Sequence, residues 1–173
     1  RFSVGFGRGD EFFTILASQA KLFPLIPLAG AGSNRFQPIA VDDVAKCLVV
    51  ALNRDEFIGE TVEAGGTKCY TYDELVDLVA RTLDVCVSKL HISLTVIKPI
   101  AWMMQHLMPR PPVTIEQIKM IAADNVANGE SVEKKFGFNP RPLEGNLDYL
   151  LEIRLRDALR MNLGLMVTRV RDH

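Results

Sequence analysis

Cysteine is scarce: Cys47, Cys69 and Cys86 are the only three in 173 residues. None forms a Cys-x-x-Cys pair and none has a histidine beside it. An odd number in this arrangement writes neither a disulfide framework nor a zinc site, and three buried thiols in a reducing compartment are the expectation. Histidine is equally sparse. His91, His106 and His173 show no H-x-x-x-H or H-E-x-x-H spacing, so no metal site is expected. Long apolar runs are missing too: the strongest, at 94–97 and 99–104, fall far short of the roughly 18 residues of a membrane span. Charge of one sign is not in excess. Twenty basic against 21 acidic residues leave a net charge of −1, which supplies no overall field to draw nucleic acid or to hold a membrane surface. No signal peptide is visible at the start, and residues 1–6 read as the middle of a larger pattern, so the segment is expected to be a piece of a longer protein.

What remains is an ordinary globular composition, 48% hydrophobic and 24% charged, which excludes disorder, collagen and low complexity. The stretch 1–6 carries aromatic and β-branched residues and breaks at Gly5, Gly7 and Gly9, predicting a strand that runs into a glycine loop. Asp10 opens a helix-period stripe of Phe12, Phe13, Leu16 and Ala20 that stops before Pro24. An apolar run bounded by proline and glycine follows at 24–32, and the alternation of 35–41 predicts a second strand. Asp42 and Asp43 are placed to cap the next helix, whose buried stripe is Val44, Cys47, Leu48 and Ala51. Gly59 separates it from a strand at 61–64, with a turn at Gly65-Gly66.

Thr71-x-x-Glu74 is a capping box and the clearest helix start in the chain, ahead of Leu75, Leu78, Val79 and Thr82. The alternation of 85–92 predicts a strand, and 93–108 a helix that tolerates Pro99 near a kink. Residues 109–112, rich in proline, stop it. Thr114-x-x-Gln117 forms a second capping box, and 131–136 a short helix closed by Gly137. From Leu143 the apolar positions Leu147, Leu151, Leu155 and Leu159 recur every four residues, predicting one helix to about Met161. Arginine crowds the end at Arg154, Arg156, Arg160, Arg169 and Arg171, a solvated face or a contact with an anionic surface or partner.

No complete active site is written in these residues. Asp10 stands where a dinucleotide-binding G-x-G-x-x-G loop starting at Gly5 requires its third glycine, and Arg35 where one starting at Gly30 does. No glycine precedes a Lys-Ser or Lys-Thr, so there is no P-loop, and there is no G-x-S-x-G elbow. His91 and His106 have no neighbouring carboxylate or serine pattern and are expected to be structural. Trp102, Met103, Met104 and Met108 are expected to be helical core, or else the wall of a hydrophobic pocket.

In order and spacing, RFSVGFGRGDEFF, then RFQPIAVDDVAKCLVVAL, then GETVEAGGTKCYTYDEL, resemble the C-terminal half of an atypical or extended short-chain dehydrogenase/reductase. PRPPVTIEQIKMIAADNV and FGFNPRPLEGNLDYL are similar to the same subgroup's tail. That subgroup is nucleoside-diphosphate-sugar epimerase-like and includes the nucleotide-binding accessory subunit of respiratory complex I and its bacterial relatives. The resemblance covers about residues 1–150. It implies an α/β fold, the C-terminal part of a doubly wound Rossmann-like sheet with a mainly helical substrate lobe. Residues 1–84 would hold the last strands and helices of the Rossmann-like domain with the substrate loop, 85–161 the helical lobe and 162–173 a basic tail.

Position by position, the resemblance places Phe2, Ser3 and Val4 along the nicotinamide, and Gly7, Arg8, Gly9 and Asp10 in the following substrate loop. Phe2 and Arg8 stand where the pattern usually has proline. Sugar-nucleotide epimerases grip the substrate's phosphates with an arginine ahead of the V-D-D run. Phe36 holds the matching position here, with Arg35, the candidate phosphate ligand, one place earlier. Such enzymes exchange a proton through a Tyr-x-x-x-Lys pair while hydride moves to or from the nicotinamide. The residues four after Tyr70, Tyr72 and Tyr149 are Glu74, Val76 and Ile153. No catalytic residue is therefore assigned, and NAD or NADP is expected in a full-length parent but not on this chain alone.

Two classes follow from the resemblance. One is the substrate-side portion of an NAD(P)-dependent oxidoreductase or epimerase that contacts its substrate through 3–10, Arg35 and the 102–108 helix. The other is a non-catalytic accessory or assembly subunit that holds the nucleotide structurally. Expected partners are a missing N-terminal Rossmann half or a partner chain, and respiratory complex I subunits, with no nucleic acid. The expected location is the bacterial cytoplasm or the matrix side of the mitochondrial inner membrane. Without upstream strands, 1–6 and 61–65 are expected to pair with another chain or stay loose.

Overall fold

The fold is that of a computed structural model, which describes residues 1–107, 118, 121, 123–127 and 132–163. It is an α/β arrangement in which short strands hold longer helices in place. In chain order the elements are β1 (Gly5–Phe6), α1 (Phe12–Leu22), β2 (Leu25–Ala29), β3 (Arg35–Phe36), β4 (Ile39–Ala40) and α2 (Val41–Leu52). After them come β5 (Tyr70–Thr71), α3 (Tyr72–Thr82), β6 (Ser88–Ile92), α4 (Leu94–Leu107), α5 (Val132–Phe136) and α6 (Leu155–Asn162). Single 3-10 turns lie at Asp55–Phe57 and Asp148–Glu152.

The first residues are extended and already laddered. Arg1 N donates to Val62 O at 2.6 Å, Ala64 N to Arg1 O at 2.9 Å and Ser3 N to Ala64 O at 3.1 Å, and Phe2 bridges Ala64 in parallel. The expectation that 1–6 and 61–65 need another chain is therefore corrected. The crossover through α2 lays one beside the other and pairs their backbone groups. Farther along, β1 runs parallel to β4, Gly5 opposite Ile39. The longest ladder is β2 with β6, parallel over five residues from Leu25–Ser88 to Ala29–Ile92, and it turns the apolar run at 24–32 into a strand. β3 and β5 pair antiparallel, Phe36 opposite Tyr70.

Helix starts follow their sequence signals unevenly. The Thr71 capping box forms as expected: Glu74 N donates to Thr71 Oγ1 at 3.2 Å, and Thr71 N donates to Glu74 Oε2 at 2.7 Å. Asp10 Oδ1 accepts from Phe13 N at 2.7 Å and Thr14 N at 3.2 Å, satisfying two free donors of α1. Asp42 and Asp43, by contrast, do not cap α2, whose N-cap is Ala40 with no side-chain bond. They sit inside the first turn, where negative charge meets the helix dipole, and Asp43 is buried and turned toward the C-terminal segment.

The main core joins Phe6, Phe13, Ile26, Leu28, Phe36, Leu75 and Val76 to Leu143, Leu147 and Leu150. A smaller one beneath α2 contains Ile39, Cys47, Ala64, Val132 and Phe136, with Phe57 stacked on Phe136 at 5.2 Å. The single helix expected over 143–161 is two pieces, because Ile153 is extended between the 3-10 turn and α6. Burial follows the threefold 3-10 period, so Leu147, Leu150 and Ile153 face the core while Leu151, Leu155 and Leu159 are at least half exposed. Lys21 holds the break, donating to the carbonyls of Leu150 and Leu151 at 3.2 Å and of Ile153 at 2.7 Å.

Of the three cysteines only Cys47 is buried, its thiol pushed up to about 11 chiefly by burial. Cys69 and Cys86 lie on exposed connections and correct the expectation of three buried thiols. Trp102 and Met103 are 55% and 51% exposed, so they form no core. Trp102 packs on His106 at 4.3 Å instead. The capping box at Thr114, the stop at 109–112, Met108, the Met104 side chain, and Arg169 and Arg171 of the tail lie outside the described residues. No helix among the described residues is long and apolar enough to cross a membrane.

Candidate functional site

Two cavities flank the loop that connects β1 to α1. The first has a volume of about 520 Å³, within the usual range for a small-molecule site. Its walls are apolar, built by Phe2, Val4, Phe12, Ile15, Tyr72 and Ile97 among others, with Ser3, Asp10, Glu11, Gln19 and Asn125 as polar points. Among the described lining residues there is no lysine, arginine or histidine. The cavity forms because the extended segment 1–5, the first turns of α1, and α4 converge without filling the space between them. Phe12 and Tyr72 give it aromatic walls, and both pack on the buried Phe36 ring, with ring centroids among the three 5.7 to 6.0 Å apart. Burial there pushes the Tyr72 phenol up to about 12.

The three residues expected along a nicotinamide, Phe2, Ser3 and Val4, all line this cavity. The Ser3 hydroxyl is already engaged. It donates to Asn125 O at 2.6 Å and accepts from Gln37 N at 3.2 Å, tying the first strand to two later segments. Phe2 and Val41, which line the cavity, are 40% and 46% exposed.

The second cavity, about 450 Å³, lies across the loop and is polar, lined by Gly7, Arg8, Asp42, Arg141, Tyr149 and Glu152 among others. Here the loop is tied to the C-terminal segment. Tyr149 donates a short hydrogen bond to Asp10 Oδ2, and Gly7 N donates to Tyr149 Oη at 3.2 Å. Arg8 pairs with Glu152. Burial raises the Asp10 pKa above the ordinary carboxylate value despite the hydrogen bonds from Tyr149, Phe13, Gly7 and Thr14 that oppose it. Tyr149 is raised as well, by burial first and the Asp10 carboxylate next. Asp43 accepts from Arg141 N at 2.6 Å and from Lys46 Nζ at 2.7 Å. Burial pushes it up, but these donors outweigh that and hold it below the ordinary value.

The candidate substrate residues are thus divided. Asp10 lines the apolar cavity, Gly7 and Arg8 line the polar one, and Gly9 lines neither. Gly7 takes a positive φ of 143°, and a Cβ there would stand in ordinary contact with Val41 of α2 at 3.6 Å. Arg35 lies on the surface, its Nη2 and Nε both donating to Asp124 Oδ2 at 3.1 and 3.2 Å, and neither cavity includes it. Phe36, in the position where the resemblance has an arginine, is wholly buried.

Sequence reasoning missed the α1 residues Ile15 and Gln19, the α4 residue Ile97, and Tyr72 and Asn125. Only the helix period of α1 and α4 could have pointed to any of them. It missed a further pairing as well: His91 Nε2 lies 2.9 Å from Asp73 Oδ1, joining β6 to the start of α3. Glycine is required at position 32 beside that pair, since a Cβ there would fall 2.2 Å from Asp73 Oδ1. No group of three His, Cys, Asp or Glu among the described residues could hold a metal ion.

Comparison with known proteins bears out the resemblance. Over 74 residues, 42% of this chain, the sequence is 35% identical to the NADH dehydrogenase [ubiquinone] 1 alpha subcomplex subunit 9, mitochondrial, of Arabidopsis thaliana, of which the match covers 18%. The fold matches UDP-glucose 4-epimerase from Thermotoga maritima with a TM-score of 0.59 at 15% identity, covering 88% of this chain and 43% of that one. It matches dTDP-glucose 4,6-dehydratase from Bacillus anthracis, solved in complex with NAD, at 0.59 and 17% identity, covering 88% and 42%. A UDP-glucuronic acid 4-epimerase from Bacillus cereus, solved with UDP-glucuronic acid and NAD, gives 0.54 at 14%, covering 93% and 44%. At these identities the structures show a shared fold, the Rossmann-like α/β fold of nucleoside-diphosphate-sugar epimerases and dehydratases. The chain spans less than half the length of each and a smaller share of the complex I subunit. No family model matches the chain.

Proposed function

We propose that this chain is the substrate-side portion of an NAD(P)-binding protein of the short-chain dehydrogenase/reductase type, inactive alone, which closes one side of a cofactor and substrate chamber. In this reading 1–84 complete the Rossmann-like domain, 85–161 form the substrate lobe, and 162–173 are a basic appendage. The observation that carries it is the apolar cavity of about 520 Å³ with Phe2, Ser3 and Val4 on its wall. Its chemistry suits a flat ring and not a diphosphate, since the charged residues among its described lining are Asp10 and Glu11 and no cation faces them. A bound nicotinamide would supply hydride transfer. This chain's residues would enclose the ring and exclude water around it, while the phosphates would be held elsewhere. Gly7, Arg8, Gly9 and Asp10 form the loop beside the chamber and are the proposed substrate contacts. Arg35 would first have to leave Asp124 to meet a phosphate.

A second reading is favoured by the 35% identity to a complex I subunit. On it, the same chamber holds NAD(P) for stability, and the protein serves assembly among respiratory complex I subunits on the matrix side of the mitochondrial inner membrane. A bacterial cytoplasmic setting accompanies the first reading. The test is extraction and chromatography of nucleotides from the native polypeptide, followed by hydride exchange with candidate sugar nucleotides. Retained NAD(P) with exchange supports the first reading, and retained NAD(P) without exchange the second. A native protein that carries no nucleotide overturns both.

A further inference from the structure

The apolar cavity has few polar groups on its wall, and the fold already uses two of them in full. Asp10 Oδ1 accepts from Phe13 N and Thr14 N, and its Oδ2 from Gly7 N and the Tyr149 hydroxyl. The Ser3 hydroxyl is tied between Asn125 O and Gln37 N. Tyr72 differs. It lines the cavity and is 8% exposed, its ring packed on Phe12 and Phe36 at 6.0 and 5.9 Å. Its backbone is fixed at the first position of α3, where Tyr72 N donates to Asn34 O at 3.0 Å. Its hydroxyl has no hydrogen-bond partner among the described residues, and burial is the cause that pushes the phenol up to about 12. Among those residues the polar atoms wholly enclosed without a partner are Thr14 Oγ1 and Tyr70 Oη. Tyr72 Oη is not one of them, so it meets open space, and the open space that Tyr72 borders is the cavity. Burying a phenol with nothing to receive its proton costs stability. A phenylalanine would fill the same volume without that cost, as Phe12 and Phe36 do in the same cluster, so the hydroxyl is kept for an acceptor that the chain does not supply.

We infer that the substrate of this chamber is an uncharged, mainly apolar molecule bearing a carbonyl oxygen, and that Tyr72 binds it by donating a hydrogen bond to that oxygen. The inference rests on the functional reading above and names the substrate class that reading leaves open. Charge selects against a sugar diphosphate: Asp10 and Glu11 stand on the described wall with no lysine, arginine or histidine beside them, and like charges brought together are repelled. Hydrocarbon selects for an apolar body, since Ile15, Pro27, Ile97, Ile118 and Ile121 make up much of the remaining wall. Phe36 adds to this. The position that the resemblance gives to a phosphate-gripping arginine holds a wholly buried ring, and that ring supports Tyr72 where a cation would have faced a phosphate. At neutral pH the Tyr72 phenol keeps its proton, so it serves as a donor to a neutral oxygen and not as a base.

The test compares the native-length polypeptide, made from its own gene, with its Tyr72→Phe variant. Each is titrated calorimetrically with 4-phenyl-2-butanone, a neutral aromatic ketone, and with butylbenzene, which has the same carbon skeleton and no oxygen. The ketone is expected to bind, and Tyr72→Phe to weaken it about fivefold to tenfold, while the affinity for butylbenzene stays the same. UDP-glucose is expected not to displace the ketone. A ketone that does not bind, that binds both proteins equally, or that UDP-glucose displaces overturns the inference. The ligand-free variant is expected to melt at or above the Tm of the parent, because its hydroxyl had no partner. A lower Tm shows that the hydroxyl has a structural partner and overturns the inference as well. Bound nucleotide is measured on the same samples. NAD(P) present without ketone binding leaves the functional reading standing and removes the substrate class, whereas a ketone bound through Tyr72 in a protein without NAD(P) does the reverse.

Discussion

Replacing Tyr149 by Phe removes one oxygen and leaves the ring. That oxygen donates to Asp10 Oδ2 and accepts from Gly7 N at 3.2 Å, and it joins the C-terminal segment to a loop that begins more than a hundred residues earlier. A hydrogen bond to a charged group contributes about 1.5–3 kcal/mol. Asp10 keeps its bonds from Phe13 N and Thr14 N, and Gly7 N keeps Asp10 Oδ2 at 3.3 Å, so the loss stays near about 2 kcal/mol. For a chain of this size that lowers Tm by about 4–8 °C. The pH dependence carries the sharper test. Asp10 titrates in the folded protein above its unfolded value of 3.8. Its protonation therefore contributes stability that is fully present below pH 3.8 and is lost as the pH rises through the folded pKa. Tyr149 opposes that rise, so Tyr149→Phe moves the folded pKa of Asp10 further up. The deficit of the variant is then full at neutral pH and shrinks on acidification, as Asp10 protonates in both proteins. Urea unfolding at several pH values between 4 and 8 measures it. A neutral-pH deficit under about 0.5 kcal/mol, as for an ordinary surface change, or a deficit that grows toward low pH, refutes the reasoning.

Two further outcomes follow from the geometry. Leu147→Ala is expected to cost about 2–5 kcal/mol, because the side chain is 1% exposed and leaves a cavity, while Leu151→Ala, 53% exposed, falls within about 0.5 kcal/mol. Equal losses by thermal unfolding would restore the continuous helix over 143–161. Asp43, held below its unfolded 3.8 by Arg141 N and Lys46 against the cost of burial, contributes stability present above pH 3.8 and lost as the pH falls through its lower folded value. Asp43→Asn is expected to be less stable at pH 7 and to lose less than the parent on acidification to pH 3. An acid limb as steep as the parent's in chemical denaturation would show that Asp43 is not the group responsible.

Local chemistry was legible wherever a short stretch of sequence determines its own structure. The Thr71 box needs only a hydroxyl and a carboxylate three residues apart, and α1 needs only its apolar stripe and the proline that stops it. Phe2, Ser3 and Val4, singled out by the order of the segments around them, come together on the wall of one apolar cavity. The 3-10 break after Leu147 was not legible, because apolar residues spaced by four also satisfy an α-helix. The difference lies in Lys21, a residue of α1, which gathers the carbonyls of Leu150, Leu151 and Ile153. Nor could sequence distinguish Cys47 from Cys69, or Leu48 from Val44, since exposure depends on what packs alongside.

By itself, then, the sequence determined where helices begin, which residues are apolar, and what the chain does not carry: a glycine fingerprint and a Tyr-x-x-x-Lys pair. Those are properties of neighbours within one or two turns. Tertiary structure alone decided that Arg35 meets Asp124, that Tyr149 and Asp10 close the loop, that the Ser3 hydroxyl is a tie, and that one face of α2 is left uncovered. Each of these joins or exposes positions far apart in the chain, and only the burial of a shared core brings such positions together.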